Sequence, residues 1–221
     1  MKVLVIVAHP NKSSFNHAIA STCSKTLIDN GHEVISHDLY EEQFNPLLAA
    51  GEMPRDAVLP PEIQQHCDEL SLADGIVIVH PNWWGQPPAI LKGWVDRVIR
   101  PGVAYEFQEG DTGEGVPRGL LRAGCALIFN TSNTETTREK TVFGDPLKLI
   151  WRDCIWGLCG IPNIHRRMFN IIVTSTDEER KGWLDEVAVT ICRFFPKGSH
   201  DVAMRRPAKT AALPHHSNKK R

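Results

Sequence analysis

The segment from residue 75 to residue 98 constrains the fold more than any other part of the chain. It begins with Gly-Ile-Val-Ile-Val at 75–79, a β-branched run of strand length. Pro88 then suits the first turn of a helix. Apolar residues follow at helical spacing, namely Ile90, Leu91, Trp94, Val95 and Val98. The pattern predicts a buried strand, a loop and a helix, and in an open α/β sheet ligands bind where such strands end.

The loop between that strand and helix contains two adjacent tryptophans, Trp83 and Trp84. Their indoles could form a wall for a flat aromatic cofactor. Alternatively they cap the core, since buried aromatic residues are common. The spacing alone leaves both interpretations open.

The beginning of the chain predicts a β-α-β unit. A strand at Lys2–Ala8 leads into a Ser-rich loop, and Ser13 or Ser14 could cap a helix that ends at Asn30–Gly31. A second strand is expected at Glu33–Asp38. A loop that joins the end of a strand to the N-terminus of a helix suits phosphate binding. The alternative is that the serines only cap the helix. The loop has no G-x-G-x-x-G dinucleotide fingerprint.

The remaining elements continue the alternation. We expect helices at 62–73, 147–158 and 177–195, and strands at 124–130 and 166–174. Five strands alternating with helices predict a doubly wound α/β fold with a parallel sheet. Asn130, Thr131, Ser132 and Asn133 follow the fourth strand, where they could hydrogen-bond a ligand or simply form a turn.

The pattern indicates one domain over residues 1–196 and a disordered tail over 197–221. A Pro-rich excursion from Tyr40 to Pro61 is a candidate partner contact. The Gly-bearing loop from Val103 to Gly119 is a candidate lid that carries Tyr105 and Phe107.

Composition excludes several classes of protein. The 221 residues carry a formal net charge of −1, so neither nucleic acid nor an anionic membrane is expected as a partner. No membrane span or signal peptide is recognisable, and a cytoplasmic protein with reduced thiols is expected. None of the six cysteines forms a Cys-x-x-Cys pair, so no zinc ribbon is indicated and no metal site is expected.

Several motifs together resemble the NAD(P)H quinone oxidoreductases of the flavodoxin-like fold, a family that also contains modulator-of-drug-activity and potassium-efflux ancillary proteins. The resemblance covers most of residues 1–195. It rests on Val3–Pro10 with Ser14-Phe15-Asn16, Asp38–Tyr40, Phe44–Pro46, His80-Pro81 with Trp84, and the Pro-Ala-Ile-Leu-Lys-Gly-Trp run at 88–94. It implies strand order 2-1-3-4-5, with a flavin at the carboxyl ends of the strands.

The resemblance also implies residue roles. The flavin phosphates would be held by His9, Ser14, Phe15 and Asn16. The flavin ring and ribityl chain would be lined by Pro81, Asn82, Trp83, Trp84 and Gly85. Asn130, Thr131, Ser132 and Asn133 take the place of the family's Thr-Thr-Gly-Gly loop. The substrate pocket would be walled by Trp84, Tyr105 and Phe107.

This sequence departs from the family at two places. Thr137 and Phe143 stand where the mammalian quinone reductases have a Tyr and a His that assist charge transfer, so no proton relay carries over and no catalytic residue is assigned. Cys67 lies near the place of a cofactor-contacting Gln. FAD is favoured as the cofactor, but FMN stays open.

The function implied by the resemblance is two-electron reduction of quinones or similar acceptors by NAD(P)H, with ping-pong kinetics in a homodimer. The alternative is a flavin-binding regulatory or electron-transfer subunit that acts on a protein partner. A nucleotide-binding enzyme that uses the first loop is disfavoured, because the chain has no Gly-Lys-Ser/Thr phosphate loop.

Overall fold

A fully buried strand lies at the centre of a five-stranded parallel sheet. The computed structural model describes residues 1–108, 110 and 115–198. The strands are β1 (Lys2–Val7), β2 (Glu33–Asp38), β3 (Gly75–Pro81), β4 (Tyr105–Glu106), β5 (Arg118–Gly119), β6 (Cys125–Thr131) and β7 (Asn163–Phe169). The helices are α1 (Phe15–Asp29), α2 (Pro61–Leu72), α3 (Ala89–Val98), α4 (Thr136–Thr141), α5 (Pro146–Leu149) and α6 (Asp177–Phe194). A 3-10 turn occupies Ala50–Glu52, and α5 continues as a π-helical segment, Ile150–Gly157.

The sheet has the order β2-β1-β3-β6-β7, and every neighbouring pair is parallel. β4 and β5 form a separate antiparallel pair. Within the large sheet this is the predicted order 2-1-3-4-5, and the predicted α/β fold is confirmed. All seven residues of β3 are buried, as the apolar run at 75–79 predicts for a strand covered on both faces.

Side chains that alternate along the strands supply two separate cores. Ile76 and Ile78 face the core that contains α2, α3 and the helix from residue 146. Val77 and Val79 face the core formed with α1 and α6. Because strand side chains point to opposite faces in turn, one apolar strand serves both layers.

Two glycines allow close packing between elements. A Cβ on Gly75 would lie 2.3 Å from Cε1 of Phe195, the residue that ends α6. A Cβ on Gly93, in α3, would lie 2.3 Å from the Cα of Pro46. The second contact seats part of the Pro-rich excursion directly on α3.

The helices begin as their sequences indicate. Ser14 caps α1, and its side chain accepts a hydrogen bond from the backbone N–H of His17. Thr176 and Glu179 form a capping box at the start of α6. Of the two serines proposed as caps for α1, Ser14 is the one that serves.

The strand predicted at 166–174 is wrong in its bounds, since β7 spans Asn163–Phe169. The predicted bounds followed the apolar residues Ile171, Ile172 and Val173, which lie beyond the end of β7. Arg166 pairs with Asp145, and Arg167 pairs with Glu186, so both charges are neutralised from other elements. Pairing over a long sequence distance stabilises a strand whose bounds its own residues do not fix.

Part of the sequence prediction lies outside the described residues. The predicted disordered tail falls mainly on residues 199–221, and the candidate lid includes residues 109 and 111–114. Within the part of the chain that the structure describes, no helix is both long enough and apolar enough to cross a membrane.

Candidate functional site

Three loops meet at the carboxyl edge of the sheet, after β1, β3 and β6. The side-chain amide of Asn16 donates to Oγ1 of Thr131 at 2.9 Å and so joins α1 to the end of β6. The backbone N–H of Asn82 donates to the carbonyl of Thr131 at 2.7 Å. The rings of His9 and Trp83 lie 6.0 Å apart and connect the first loop to the second. The structure therefore brings these predicted residues together.

The first loop presents a helix N-terminus to this edge. The backbone N–H groups of Phe15 and Asn16 lie in the first turn of α1, where a helix provides its donors with no internal acceptor. The hydroxyl of Ser14 lies 2.9 Å from Nδ1 of His17, and Nε2 of His17 lies 2.9 Å from Asp38. His17 was not predicted as a site residue, although it fixes the hydroxyl that was. The loop thus offers fixed donors for an anion.

His9 lies beside this helix end and is partly buried. Burial lowers the pKa of His9, and this effect is larger than the increase that its hydrogen bond with the backbone of Asn11 causes. An uncharged imidazole can still donate one hydrogen bond to a phosphate oxygen.

The second loop forms a tight turn with an indole at its tip. The backbones of Trp83 and Gln86 exchange two hydrogen bonds of 3.1 and 3.0 Å. The residues between them, Trp84 and Gly85, have positive φ angles of 57° and 72°. A Cβ on Gly85 would lie 2.7 Å from Cγ of Pro146, so both the turn and the packing favour glycine there.

The exposure of the two indoles settles how they pack in this chain. The side chain of Trp84 is fully exposed, with a relative exposure of 101%, and Trp83 is 41% exposed. The alternative in which both residues cap the core is therefore wrong. Two adjacent indoles exposed at the carboxyl edge of the sheet form a candidate binding surface.

The third loop is more deeply placed than its polar sequence indicates. Asn130, Thr131 and Ser132 are buried, and only Asn133 is exposed. The backbone N–H of Ser132 donates to the carbonyl of Phe169 at 3.0 Å. Oδ1 of Asn133 accepts from the backbone N–H of Val173 at 3.0 Å. These bonds fix the loop to the segment after β7, which is more order than a simple solvent-facing turn requires.

His80 lies beneath the second loop in a buried polar network. Its Nε2 lies 2.9 Å from the indole nitrogen of Trp151 and 2.8 Å from the side-chain nitrogen of Asn130. An indole N–H can only donate, so Nε2 must be the unprotonated nitrogen. Nδ1 then carries the proton and donates to the carbonyl of Pro81 at 2.8 Å. Burial lowers the pKa of His80 to about 4, so the ring is neutral near pH 7.

The network continues outward through Arg166. Its guanidinium donates to Oδ1 of Asn130 at 3.1 Å and pairs with Asp145. Arg166 is half-buried, and it orients Asn130, which in turn contacts His80.

A cavity of about 660 Å³ opens beside this network. Its lining includes Thr136, Glu139, Lys140, Asp145, Lys148, Trp151, Arg166 and Met168. Asn82 reaches toward it and donates to Oε1 of Glu139 at 2.9 Å, while Oδ1 of Asn82 is buried with no hydrogen-bond partner among the described residues. The volume suits a small ligand.

Tyr105 and Phe107 do not lie at this edge. Tyr105 belongs to β4, which pairs with β5. The chain leaves β5 and enters β6 through Gly124, whose N–H donates to the carbonyl of Asp74 at 2.9 Å, just before β3 begins. Both aromatic residues therefore lie toward the amino-terminal edge, and within one chain they cannot share a wall with Trp84.

The residues at the carboxyl edge fit a flavin. The exposed indoles offer apolar surface for a ring, and the first turn of α1 offers donors for phosphate. The unpartnered Oδ1 of Asn82 is an acceptor for a ring or ribityl donor. The resemblance places Thr137 and Phe143 at the charge-transfer positions. In the structure Thr137 is exposed, Phe143 is 50% exposed, and the guanidinium of Arg138 lies 5.5 Å from the centre of the Phe143 ring.

Comparison with known proteins agrees with this architecture. The flavodoxin-like fold family matches residues 1–191. An "uncharacterized NAD(P)H oxidoreductase" of Haemophilus influenzae is 35% identical over 192 residues, which span 85% of this chain and 93% of that protein.

Two solved structures share the fold. An NAD(P)H:quinone oxidoreductase from Methanothermobacter marburgensis superposes with a TM-score of 0.73 at 25% identity, over 86% of this chain and 95% of that one. An FMN-dependent NADH-azoreductase from Bacillus anthracis, solved with FMN, gives a TM-score of 0.71 at 17% identity, over 88% and 99% of the two chains. At that identity the second likeness shows the fold alone.

Proposed function

Because the chain belongs to the flavodoxin-like fold family, among relatives named as NAD(P)H oxidoreductases, we propose that it is a flavin-dependent NAD(P)H oxidoreductase that reduces quinones or similar acceptors. The match over residues 1–191 confirms the family that the sequence predicts. The observation that carries the proposal is the pair of exposed indoles, Trp83 and Trp84, at the edge where three strand-end loops meet. The alternative that they belong to the core has been excluded by their exposure.

Each loop has a distinct task in this proposal. The N–H groups of Phe15 and Asn16 bind the flavin phosphate with His9 beside them, and Ser14 shapes the turn. Trp83 and Trp84 cover the flavin ring and exclude water from it. Asn82 accepts a hydrogen bond from the cofactor through its free Oδ1.

The remaining predicted residues hold the frame. Pro81 and Gly85 bound the Trp turn, and Asn130 anchors His80 beneath it. Thr131 ties the third loop to Asn16. Ser132 and Asn133 keep the third loop in place through the bonds described above.

A bound flavin supplies the hydride acceptance and hydride donation of such a reaction. The protein orients the two partners and keeps the site dry. NAD(P)H and the acceptor occupy in turn the one face of the flavin ring that Trp83 and Trp84 leave open, so we expect ping-pong kinetics. A neutral His80 is no proton donor here, because its one N–H is held by Pro81.

The proposed assembly is a homodimer. Tyr105 and Phe107 lie away from the carboxyl edge of their own chain, so a role as pocket walls requires a second copy to bring them there. The 40–61 excursion exposes Leu47, Met53 and Val58 by 74%, 70% and 96%, which is apolar surface that a partner would cover.

The cofactor test begins with the purified full chain. Its visible absorption is recorded, the chromophore is released by heat, and chromatography decides between FAD and FMN. NADH and NADPH are then added anaerobically to the flavin-loaded protein, and bleaching of the flavin band is expected with at least one of them. A loaded protein that neither nucleotide reduces contradicts the proposal.

A matched pair of variants tests the site itself. Trp84→Ala removes a fully exposed side chain and should raise the flavin dissociation constant roughly tenfold, as expected for a lost aromatic contact of about 1 kcal/mol or more. Val189→Ala, on the exposed face of α6, removes apolar surface elsewhere and should leave the constant unchanged. Equal affinities in all three proteins would remove Trp84 from the site.

The second candidate function is a flavin-binding regulatory or electron-transfer subunit. The open cavity beside Lys140 and Lys148 favours it in one respect, because exposed cations could meet an acidic partner protein. Steady-state quinone reduction by the isolated protein separates the two candidates. Turnover without any partner supports the enzyme, and flavin reduction without turnover supports the subunit.

A further inference from the structure

Two buried histidines meet two glutamates beside the carboxyl end of β2, outside the loops described above. His37 is the fifth residue of β2, and His66 lies on α2. Their relative exposures are only 7% and 5%, and their ring centroids are 4.1 Å apart. Imidazoles so close together and so deeply placed need a chemical reason, because buried polar groups are costly unless they are satisfied.

The glutamates surround the pair in different ways. Glu42, in the turn after β2, places Oε1 2.9 Å from Nδ1 of His37 and Oε2 3.8 Å from Nε2 of His66. Glu69, on α2, places Oε2 2.6 Å from Nε2 of His37. One ligand atom each from His37, Glu42 and His66 lies within 4.8 Å of the other two.

The chemistry of this set is that of a transition-metal site. Two imidazole nitrogens and one carboxylate oxygen form a common three-ligand set for Zn²⁺, which leaves a fourth position for water. Histidines that ligate metals usually bind a carboxylate through their other nitrogen. His37 has this arrangement with Glu69. Glu42 is 36% exposed at its side chain, so the ligand-bearing side of the cluster is open to solvent.

We propose that His37, Glu42 and His66 bind one divalent metal ion of the zinc type. The ion bridges the turn after β2 to α2. Nothing in this proposal depends on the flavin function, and none of the three ligands belongs to the flavin loops.

Modest rearrangement is enough to form the site. With metal–ligand distances of about 2.0–2.2 Å, tetrahedral geometry sets the ligand atoms about 3.3 Å apart. The 2.9 Å contact between His37 and Glu42 must therefore open slightly, and the separations of up to 4.8 Å must close. Glu42 can make this movement, since it is the most exposed of the three.

Binding of the ion releases one proton and moves another within the site. The metal takes the place of the proton that Nδ1 of His37 and the carboxylate of Glu42 now share, and that proton goes to solvent. Nδ1 of His66 accepts a long hydrogen bond, 3.4 Å, from the indole of Trp94. Binding through Nε2 moves the His66 proton to Nδ1 and ends that bond, which makes the site weaker than a fully preformed one.

Sequence motifs do not reveal this site. The ligands stand 5 and 24 residues apart along the chain, on a strand, in a turn and on a helix, so no regular metal-binding spacing appears. The alternative is a hydrogen-bonded cluster that satisfies itself without any ion. The two possibilities differ in whether Zn²⁺ binds with a dependence on Glu42.

The test uses the full chain, freed of metal with a chelator that is then removed. Zn²⁺ affinity and stoichiometry are measured by competition with a chromophoric chelator. We compare Glu42→Gln with Glu41→Gln, the neighbouring residue, which is exposed and paired with Lys12. Both changes remove one negative charge and keep the side-chain shape. All the other histidines and cysteines, including His215 and His216, are common to the three proteins.

We expect the wild type and Glu41→Gln to bind one Zn²⁺ equally and Glu42→Gln to bind at least tenfold more weakly. We also expect Zn²⁺ to raise the unfolding temperature of the first two proteins by more than that of the third. We expect both variants to fold like the wild type, because both residues lie in an exposed turn. Melting curves of the metal-free proteins check this. Equal affinity in Glu41→Gln and Glu42→Gln overturns the site, as does a wild type that binds no Zn²⁺.

Discussion

The buried, neutral state of His80 makes the stability of this protein depend on pH in a calculable way. Burial holds the pKa of His80 at about 4, below the ordinary value of about 6.5 that the ring has in an unfolded chain. The unfolded state therefore binds a proton that the folded state does not bind between these two values. The contribution to the free energy of unfolding is fully present above pH 6.5 and is lost as the pH falls toward 4.

The size of this contribution follows from the pKa difference. One pKa unit is worth about 1.4 kcal/mol, so this ring should remove about 3 kcal/mol from the free energy of unfolding between pH 7 and pH 4. A structural loss accompanies the energetic one. Protonated Nε2 can no longer accept from Trp151 and Asn130, so the support beneath the Pro81 turn is broken.

The assay is urea unfolding of the wild type and of His80→Gln at closely spaced pH values from 7.5 to 4. Gln can still donate one hydrogen bond and accept another, but it does not titrate. Other histidines contribute equally to both proteins, so the difference between the two curves isolates His80. We expect that difference to be constant above pH 6.5 and to change by about 3 kcal/mol by pH 4. A difference that stays constant throughout would refute the neutral, buried assignment.

Three further perturbations test contacts that hold the fold together. Glu52→Gln leaves the guanidinium of Arg97 buried without its bidentate partner, and we expect a loss of about 3–5 kcal/mol in urea unfolding, largely restored when Arg97→Met is added. Gly93→Ala should destabilise by about 1–3 kcal/mol because its Cβ meets Pro46, although alanine favours helix; a gain in melting temperature would contradict the contact. Thr176→Ala removes the cap of α6 and should cost about 1 kcal/mol by thermal unfolding, with no change in the visible spectrum of flavin-loaded protein.

The fold could be predicted because its strands carry their own signal. β1, β3 and β6 each contain a continuous apolar run, and each is followed by a helix pattern. This alternation predicts a parallel sheet. β7 could not be placed correctly. Arg166 and Arg167 interrupt its apolar pattern, and their partners Asp145 and Glu186 come from other elements. Local pattern carries no information on such partners.

The candidate site was predictable in outline for a similar reason. Strand ends on a parallel sheet share one edge, so polar and aromatic loops after β1, β3 and β6 had to meet. The sequence could not predict how the side chains and hairpins at the site are oriented. It did not show that Trp84 points wholly into solvent, or that the hairpin of Tyr105 lies at the other edge. Both facts depend on how a turn and a hairpin sit in three dimensions.

The contact between Phe195 and Gly75 has a consequence for the nascent chain on the ribosome. On one face of the sheet, the part covered by α2 and α3 can pack early, since both helices lie before β6 in the chain. The opposite face needs Val187, Ile191 and Phe195, which are among the final residues of the described chain. At about 5–20 residues per second, translation of the stretch between β3 and α6 lasts on the order of ten seconds. For that interval the valines of β1 and β3 remain partly uncovered, so a chaperone or a misfolded neighbour would meet the growing protein on that side.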